Sequence, residues 1–583
     1  MRKSFALSTI LLMGFGVTCL LAQNATTGAA GTAAGDLDSL KARISEQQAQ
    51  IKKLQQAVDE QQKLLERALQ TAAATQAAAQ PVAKTGDGTA LATASTTNVA
   101  GPVRLIPALG LGGQPNPLAN PSPQKTNTGS SQNPCEGDNP SPTFIRLGST
   151  CIIPIGFMDL TALWRDKNAG SSIGTNFGSI PYNNTTNAKN SEFRFSPQNS
   201  RLGFRVDGDW LGTHFIGYNE FDFLGTSGAT NIGVTNGAFV PRLRLFWLDA
   251  RKGKLEFLAG QSWSMLTPNR TGISALPGDL FYSQVMDVNY MAGLTWTRQP
   301  GIRVLLHPSE KVTFGVSFEN PDQYMGGANG GGAATLPAAL TGLAATQLDN
   351  GGTIGTANTV LTTPTVMPDI IAKIALDPSK RFHFEVAGIT SQFKIWNPNT
   401  GKALGAGEHF SATGAGVQAG LNAEVVKHLR LISTNYWTDG DGRYLFGQAP
   451  DVIVRANGSL SPVHAGGTVD GFEATVKNTL LFAYYGGILI ERDVAVDAGG
   501  KTLIGYGYKG SANGQNRAIQ EGTFGFNQTI WKNPRYGAIS LIGQYEYATR
   551  DPWAVATGAP RATHDNTIYF DIRYSLPGSM PNF

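Results

Sequence analysis

From Thr567 to Leu576 the chain alternates. Ile568, Phe570, Ile572, Tyr574 and Leu576 fall on one side, and Tyr569, Asp571, Arg573 and Ser575 on the other. Side chains of a strand point to opposite faces with period two, so this stretch predicts a strand with one oily and one polar face. The pattern recurs upstream. Val312, Phe314, Val316 and Phe318 alternate with Lys311, Thr313, Ser317 and Glu319, and Phe382, Phe384 and Val386 with Arg381, His383 and Glu385. Leu202, Phe204 and Val206 alternate with Arg201, Arg205 and Asp207, and Leu243, Leu245 and Trp247 with Arg242, Arg244 and Phe246. Tight turns are legible at Arg251-Lys252-Gly253-Lys254 and Asp377-Pro378-Ser379-Lys380, where Gly and Pro supply the turn geometry. Long polar segments occupy 167–190, 264–289, 322–367, 396–410, 439–470 and 550–566. Strands that alternate between lipid and water, joined by short turns at one end and long loops at the other, describe a transmembrane β-barrel. The expected fold is therefore an all-β transmembrane barrel over 143–583, with about sixteen antiparallel strands.

The first part of the chain reads differently. Arg2 and Lys3 precede an apolar run from Phe5 to Leu21 and then Ala22, which predicts a signal peptide over 1–22. Cys19 lies inside it, and Thr18 and Gly16 suit a lipidation site poorly. After a short segment, 23–35, a seven-residue repeat begins. Leu37, Ile44, Ile51, Val58 and Leu65 share one seam position, and Leu40, Gln47, Leu54, Gln61 and Ala68 the other, with Asp36 placed as an N-cap. Such spacing predicts an α-helical coiled coil over 36–70. A lone helix lying on a domain is the other reading, but its stripe would have to be covered by that domain. Residues 71–142 are rich in Ala, Thr, Gly, Pro, Asn and Ser without periodicity, and read as a flexible linker. The coiled coil would then sit in the periplasm of a Gram-negative-type envelope, below the barrel in the outer membrane.

Composition narrows the function. Charged residues make up 15% of the 583-residue chain and the formal net charge is +4, too little for a nucleic-acid surface. Of three cysteines, Cys135 and Cys151 remain in the mature chain. An oxidising periplasm allows them to pair, and two unrelated thiols is the alternative. None of the seven histidines sits in H-E-x-x-H spacing or beside a G-x-S-x-G turn, so no catalytic centre, metal site or cofactor is expected. Gly505-Tyr506-Gly507-Tyr508-Lys509-Gly510 matches G-x-G-x-x-G in letters only. It lacks the flanking strand and helix of a dinucleotide site and reads as a glycine-rich hairpin. Asp439-Gly440-Asp441-Gly442 lacks the further ligands of a calcium loop and reads as a turn. The nine Trp lie mainly near inferred strand ends, where rings favour the membrane–water boundary.

Four short patches carry a resemblance. Leu258-Ala259-Gly260-Gln261-Ser262-Trp263-Ser264, Arg298-Gln299-Pro300-Gly301-Ile302-Arg303, Phe318-Glu319-Asn320-Pro321 and Asp439-Gly440-Asp441-Gly442-Arg443-Tyr444 resemble recurring patches of the DcaP-like porins. That family consists of trimeric outer-membrane channels with an N-terminal periplasmic coiled coil, distantly similar to the phosphate-selective porins. The resemblance implies one pore per subunit, a homotrimer in outer-membrane lipid, and passive diffusion of small anions such as dicarboxylates. One departure is that Pro577, Gly578 and Pro581 separate the closing strand from the terminal Phe583. A competing reading makes the barrel a structural element that tethers envelope layers, peptidoglycan included, or mediates adhesion through its coiled coil.

Selectivity in a pore comes from rings of charge and from the narrowest point. Arg201, Arg205, Arg242, Arg244, Arg303, Lys373, Arg381 and Arg573 lie on the polar phase of their strands and are expected to line the pore as a cationic ladder. The alternative for each is an ion pair with a neighbour such as Asp207, Glu385 or Asp571 that stiffens the wall. The 264–289 segment, with a strand resuming near Met291, is expected either to fold inward as a constriction carrying Arg270, Asp279 and Asp287, or to face bulk water outside.

Overall fold

The computed structural model describes residues 145–148, 150–225, 239–282, 284–351, 363–398, 407–511, 513–533 and 535–577. The expected signal peptide (1–22), the 23–35 segment, the coiled coil (36–70), the linker (71–142) and Cys135 lie outside the described residues.

Alternation produces the wall. The barrel strands are β1 (Thr150–Arg165), β2 (Glu192–Ser196 continued by Arg201–Trp210), β3 (Thr213–Gly225), β4 (Val240–Lys252), β5 (Leu255–Trp263), β6 (Arg298–Ser309), β7 (Val312–Glu319) and β8 (Asp369–Ser379). They continue as β9 (Phe382–Asn397), β10 (Glu408–Val426), β11 (Leu429–Asp439), β12 (His464–Val476), β13 (Thr479–Ile490), β14 (Asn516–Asn533), β15 (Gly537–Pro552) and β16 (Thr563–Ser575). Each pairs antiparallel with its sequence neighbours, and β16 returns to β1 in a register running from Phe157↔Ser575 to Arg165↔Thr567. The result is a closed sixteen-stranded barrel. Closure lets the ladder N–H and C=O groups pair within the wall and leaves no open sheet edge, which a lipid surround demands.

The strand reading holds for the closing strand. Ile568, Phe570 and Ile572 are exposed on the outside while Tyr569, Asp571 and Arg573 are buried inside. Turns of two or three residues join β2–β3, β4–β5, β6–β7, β8–β9, β10–β11, β12–β13 and β14–β15, and the long connections gather at the other rim. Two of those connections carry hairpins of their own, Val452–Val454 with Leu460–Pro462 and Asp493–Val496 with Leu503–Tyr506. The second contains the start of the glycine-rich stretch.

Several expectations need correcting. β4 changes phase at a bulge: Glu220 pairs with Leu245 and the next residue, Phe221, with Leu243. Leu243 therefore faces out, whereas Leu245 and Trp247 turn inward and are buried. An extra residue in a strand swaps the faces beyond it, which simple alternation cannot register. The strand expected near Met291 begins at Arg298, and Met291 lies fully buried in the loop before it. Trp247, Trp263 and Trp296 are likewise interior rather than at a membrane boundary, whereas Trp164, Trp210, Trp437 and Trp531 are exposed on the outer surface or turns.

Candidate functional site: the lumen and its inward loop

The loop between β5 and β6, residues 264–297, folds into the lumen. Met265, Leu266, Leu280, Phe281, Val285, Tyr290, Met291, Ala292, Leu294 and Trp296 are all buried there. Its rings pack in series with neighbours, edge to face for Trp263 and Tyr282 (centroids 5.2 Å apart) and for Tyr290 and Trp296 (4.8 Å), and stacked for Trp296 and Phe446 (5.0 Å). The barrel therefore encloses an apolar core, built from loop against wall, inside a polar-lined lumen.

Loop backbone placed inside a barrel must find hydrogen-bond partners, and the wall supplies them. The Met265 N–H donates to Glu319 at 2.7 Å, Asn269 N–H to Glu385 at 3.1 Å, Gln284 N–H to the Tyr484 hydroxyl at 3.1 Å and Ala292 N–H to Glu521 at 2.8 Å. Met286 N–H donates to the Gln544 side chain. These acceptors come from β7, β9, β13, β14 and β15, so the loop crosses the lumen and returns. At the far wall Ala292 and Gly293 lie directly on β12 and β13. A Cβ on Gly293 would meet the Thr468 and Gly487 carbonyls, and one on Gly486 the Ala292 carbonyl.

Arg270, Asp279 and Asp287 are carried on this loop. Both terminal nitrogens of Arg270 donate to the Glu473 carboxylate, at 2.9 and 2.7 Å. Asp287 accepts from Thr175 N–H at 2.7 Å and from the Tyr569 hydroxyl at 3.0 Å, joining the inward loop to the 166–191 connection and to β16. Half-buried Asp279 is pushed up to about 6 by burial, with a hydrogen bond from Ser274 opposing the shift.

Most of the expected cationic ladder is paired with carboxylates. Arg205 meets Asp207 at 2.7 Å, Arg242 donates to Asp222 at 2.9 Å, and Arg244 bridges Glu220 and Asp222. Lys373 lies 2.9 Å from Glu385 and also donates to the Thr267 carbonyl of the inward loop. Arg303 donates to Ser262 and to the Trp263 carbonyl. Arg381 sits in the turn before β9, with its side chain 65% exposed and 3.7 Å from Glu424, and so lies outside the lumen. The polar phase continues past the strand end there, and phase alone does not mark the rim.

Arg201 and Arg573 differ from the others. Arg573 lies 3.0 Å from Asp159 and 3.2 Å from Asp571, and Arg201 3.7 Å from Glu220. Their guanidinium carbons sit 4.1 and 5.3 Å from the centre of the Phe157 ring. Both are buried, yet Nε and Nη2 of Arg201 and Nε and Nη1 of Arg573 have no hydrogen-bond partner among the described residues. Sequence phase placed both on the inner face, but not together against one ring. Cys151, at the start of β1, is buried and disulfide-bonded.

Glu319, Glu385, Glu473 and Glu521, which hold the inward loop, were not anticipated as a group. Their inward phase was readable strand by strand, but what they face is fixed only by the loop's path.

A closed sixteen-stranded barrel with an inward loop defines a porin-type channel fold. No protein-family model matches the chain, and no curated protein matches it. Among solved structures it is similar to the outer membrane channel DcaP of Acinetobacter baumannii, with a TM-score of 0.51 and 16% identity over 74% of this chain and 99% of that one. An anion-selective porin from Comamonas acidovorans aligns with a TM-score of 0.40 and 12% identity, over 73% of this chain and 100% of that one.

Proposed function

We propose that this chain is an outer-membrane porin of the DcaP type, a passive diffusion channel for small hydrophilic solutes that prefers anions such as dicarboxylates. The barrel and its inward loop support the channel, and the fold shared with DcaP points the same way. One observation carries the anion preference: the buried N–H groups of Arg201 and Arg573 beside Phe157 that no acceptor among the described residues takes up. Buried cations with free donors favour an anion in a water-filled pore. The signal peptide over 1–22 would direct export, and the heptads over 36–70 would join three copies in the periplasm. Cys135 is the partner we assign to Cys151, since Cys19 is removed with the signal peptide.

The test is single-channel recording of the purified mature protein in a planar bilayer under a salt gradient. Conductance with an anion-selective reversal potential is expected. Cation selectivity would remove the arginine argument and leave the porin. A folded barrel that does not conduct would overturn the channel and favour the tethering role that the heptads also suit.

A further inference from the structure

Two carboxylates share one guanidinium on the lumen wall where the barrel closes. Asp159 on β1 lies 3.0 Å from Arg573 Nη2, and Asp571 on β16 lies 3.2 Å from the same nitrogen. All three side chains are buried. Arg201, the other guanidinium against Phe157, has its ion pair elsewhere, with Glu220 at 3.7 Å. The patch therefore holds one carboxylate more than Arg573 neutralises.

Hydrogen bonding shows an imbalance of both signs. Among the described residues neither carboxylate oxygen of Asp571 accepts a hydrogen bond, and the Thr161 hydroxyl, opposite Asp571 in the β1–β16 ladder, is also without a partner. In the same patch are the N–H groups of Arg201 and Arg573 that no acceptor among those residues takes up. Buried donors and acceptors in this number are costly unless something pairs with them. Excess negative charge with free acceptors suits a cationic donor, and free guanidinium N–H groups suit a carboxylate. A plain dicarboxylate answers only the second demand. The cover over the patch is a side chain: the sulfur of Met286, on the inward loop, lies 3.9 Å from Arg573 Nη2. Methionine is unbranched with three rotatable bonds, so this side chain can swing away while its N–H keeps the loop backbone on Gln544.

We propose that this patch is a solute subsite for a small amino acid. The solute's carboxylate takes the free N–H groups of Arg201 and Arg573, its ammonium takes Asp571 and the Thr161 hydroxyl, and the Met286 side chain moves aside to admit it. Asp571 is then the residue that distinguishes an acid carrying an ammonium group from one that lacks it. This rests on the anion-preferring channel reading above and names the solute class its arginines would meet.

The test is current recording from the full mature protein in a planar bilayer at neutral pH, with free aspartate or succinate added at equal concentration. The two share a dicarboxylate skeleton and differ in the ammonium group. On charge alone succinate, the dianion, is the stronger blocker of a pore lined by cations. Aspartate is expected instead to block for roughly tenfold longer, the difference one charge-assisted hydrogen bond makes. Asp571→Asn is expected to remove that advantage without shortening the succinate blocks, and Thr161→Val to reduce it. Succinate blocks as long as those of aspartate in the native protein would overturn the subsite, with no variant needed. An aspartate advantage that survives in Asp571→Asn overturns it as well. Anion-selective current that neither acid blocks ends this proposal and leaves the channel reading intact. Cation-selective current, or none from folded barrels, means that the reading on which the subsite rests has itself failed.

Discussion

Arg270 and Glu473 are more than 200 positions apart in sequence, and the guanidinium grips both carboxylate oxygens, at 2.7 and 2.9 Å. Arg270 belongs to the inward loop and Glu473 to β12. The pair therefore fastens the loop to the wall opposite its point of origin. Tyr484 reinforces it by donating to Glu473 at 2.6 Å, and the Arg270 guanidinium lies 5.3 Å from the Phe281 ring centre.

Arg270→Ala should leave the Glu473 carboxylate buried and without its partner. Breaking a largely buried pair from one side costs about 3 kcal/mol. The loss should appear mainly as loop mobility, because the strand ladders are untouched. Single-channel records of Arg270→Ala are expected to show increased open-channel noise. The double variant Arg270→Met with Glu473→Met should restore much of the quiet trace, since no unpaired charge remains. A single variant as quiet as the native channel would show that the pair does not hold the loop.

Gly486→Val should displace the loop at its far end. The new side chain would collide with the Ala292 carbonyl, and overpacking of this kind costs about 1–3 kcal/mol. Hydrogen exchange is the direct measurement. Faster exchange is expected at Ala292, whose N–H is held by Glu521, with little change along β13. Unchanged protection at Ala292 would contradict the close approach.

Asp279 gives the loop a pH dependence. Burial raises its pKa to about 6, above the usual carboxylate value. The folded loop therefore binds the proton more tightly than the released loop. Its stabilising contribution is fully present below the ordinary carboxylate pKa and is lost as pH rises through about 6. Exchange of loop amides should be slower at pH 4 than at pH 7, after correction for intrinsic rates. Asp279→Asn should flatten that difference, and a native-like pH profile in this variant would assign the effect to another group.

Arg201→Ala and Arg573→Ala should each move the reversal potential towards zero, because each removes free donors beside Phe157. Arg205→Ala is the comparison, since its donors are taken up by Asp207 at 2.8 and 2.7 Å. A larger shift from Arg205→Ala than from the other two would locate selectivity elsewhere.

Period-two alternation was enough to identify the barrel. Ile568, Phe570 and Ile572 against Tyr569, Asp571 and Arg573 state in sequence which face meets lipid, because strand side chains must alternate and a membrane tolerates polarity on only one side. The inward phase of Arg201, Arg205, Arg244, Lys373 and Arg573 was legible for the same reason. What each meets was not, since Arg573 pairs with Asp159 across the strand seam that closes the barrel, 414 positions away. Nor could a periodic reading detect the bulge that turns Leu245 and Trp247 inward. The path of residues 264–297 was also undecided in sequence, because a long loop of mixed apolar and polar residues suits an inward constriction or an external loop in bulk water equally well. Tertiary structure resolved it by placing Glu319, Glu385, Glu473 and Glu521 around the ring, where they take up backbone and side-chain donors that the loop alone leaves without partners. Local pattern thus determined the wall, because a strand's two faces are a property of the chain itself. Only closure of the barrel determined the lumen, because its contacts join strands that have no fixed relation until the last meets the first.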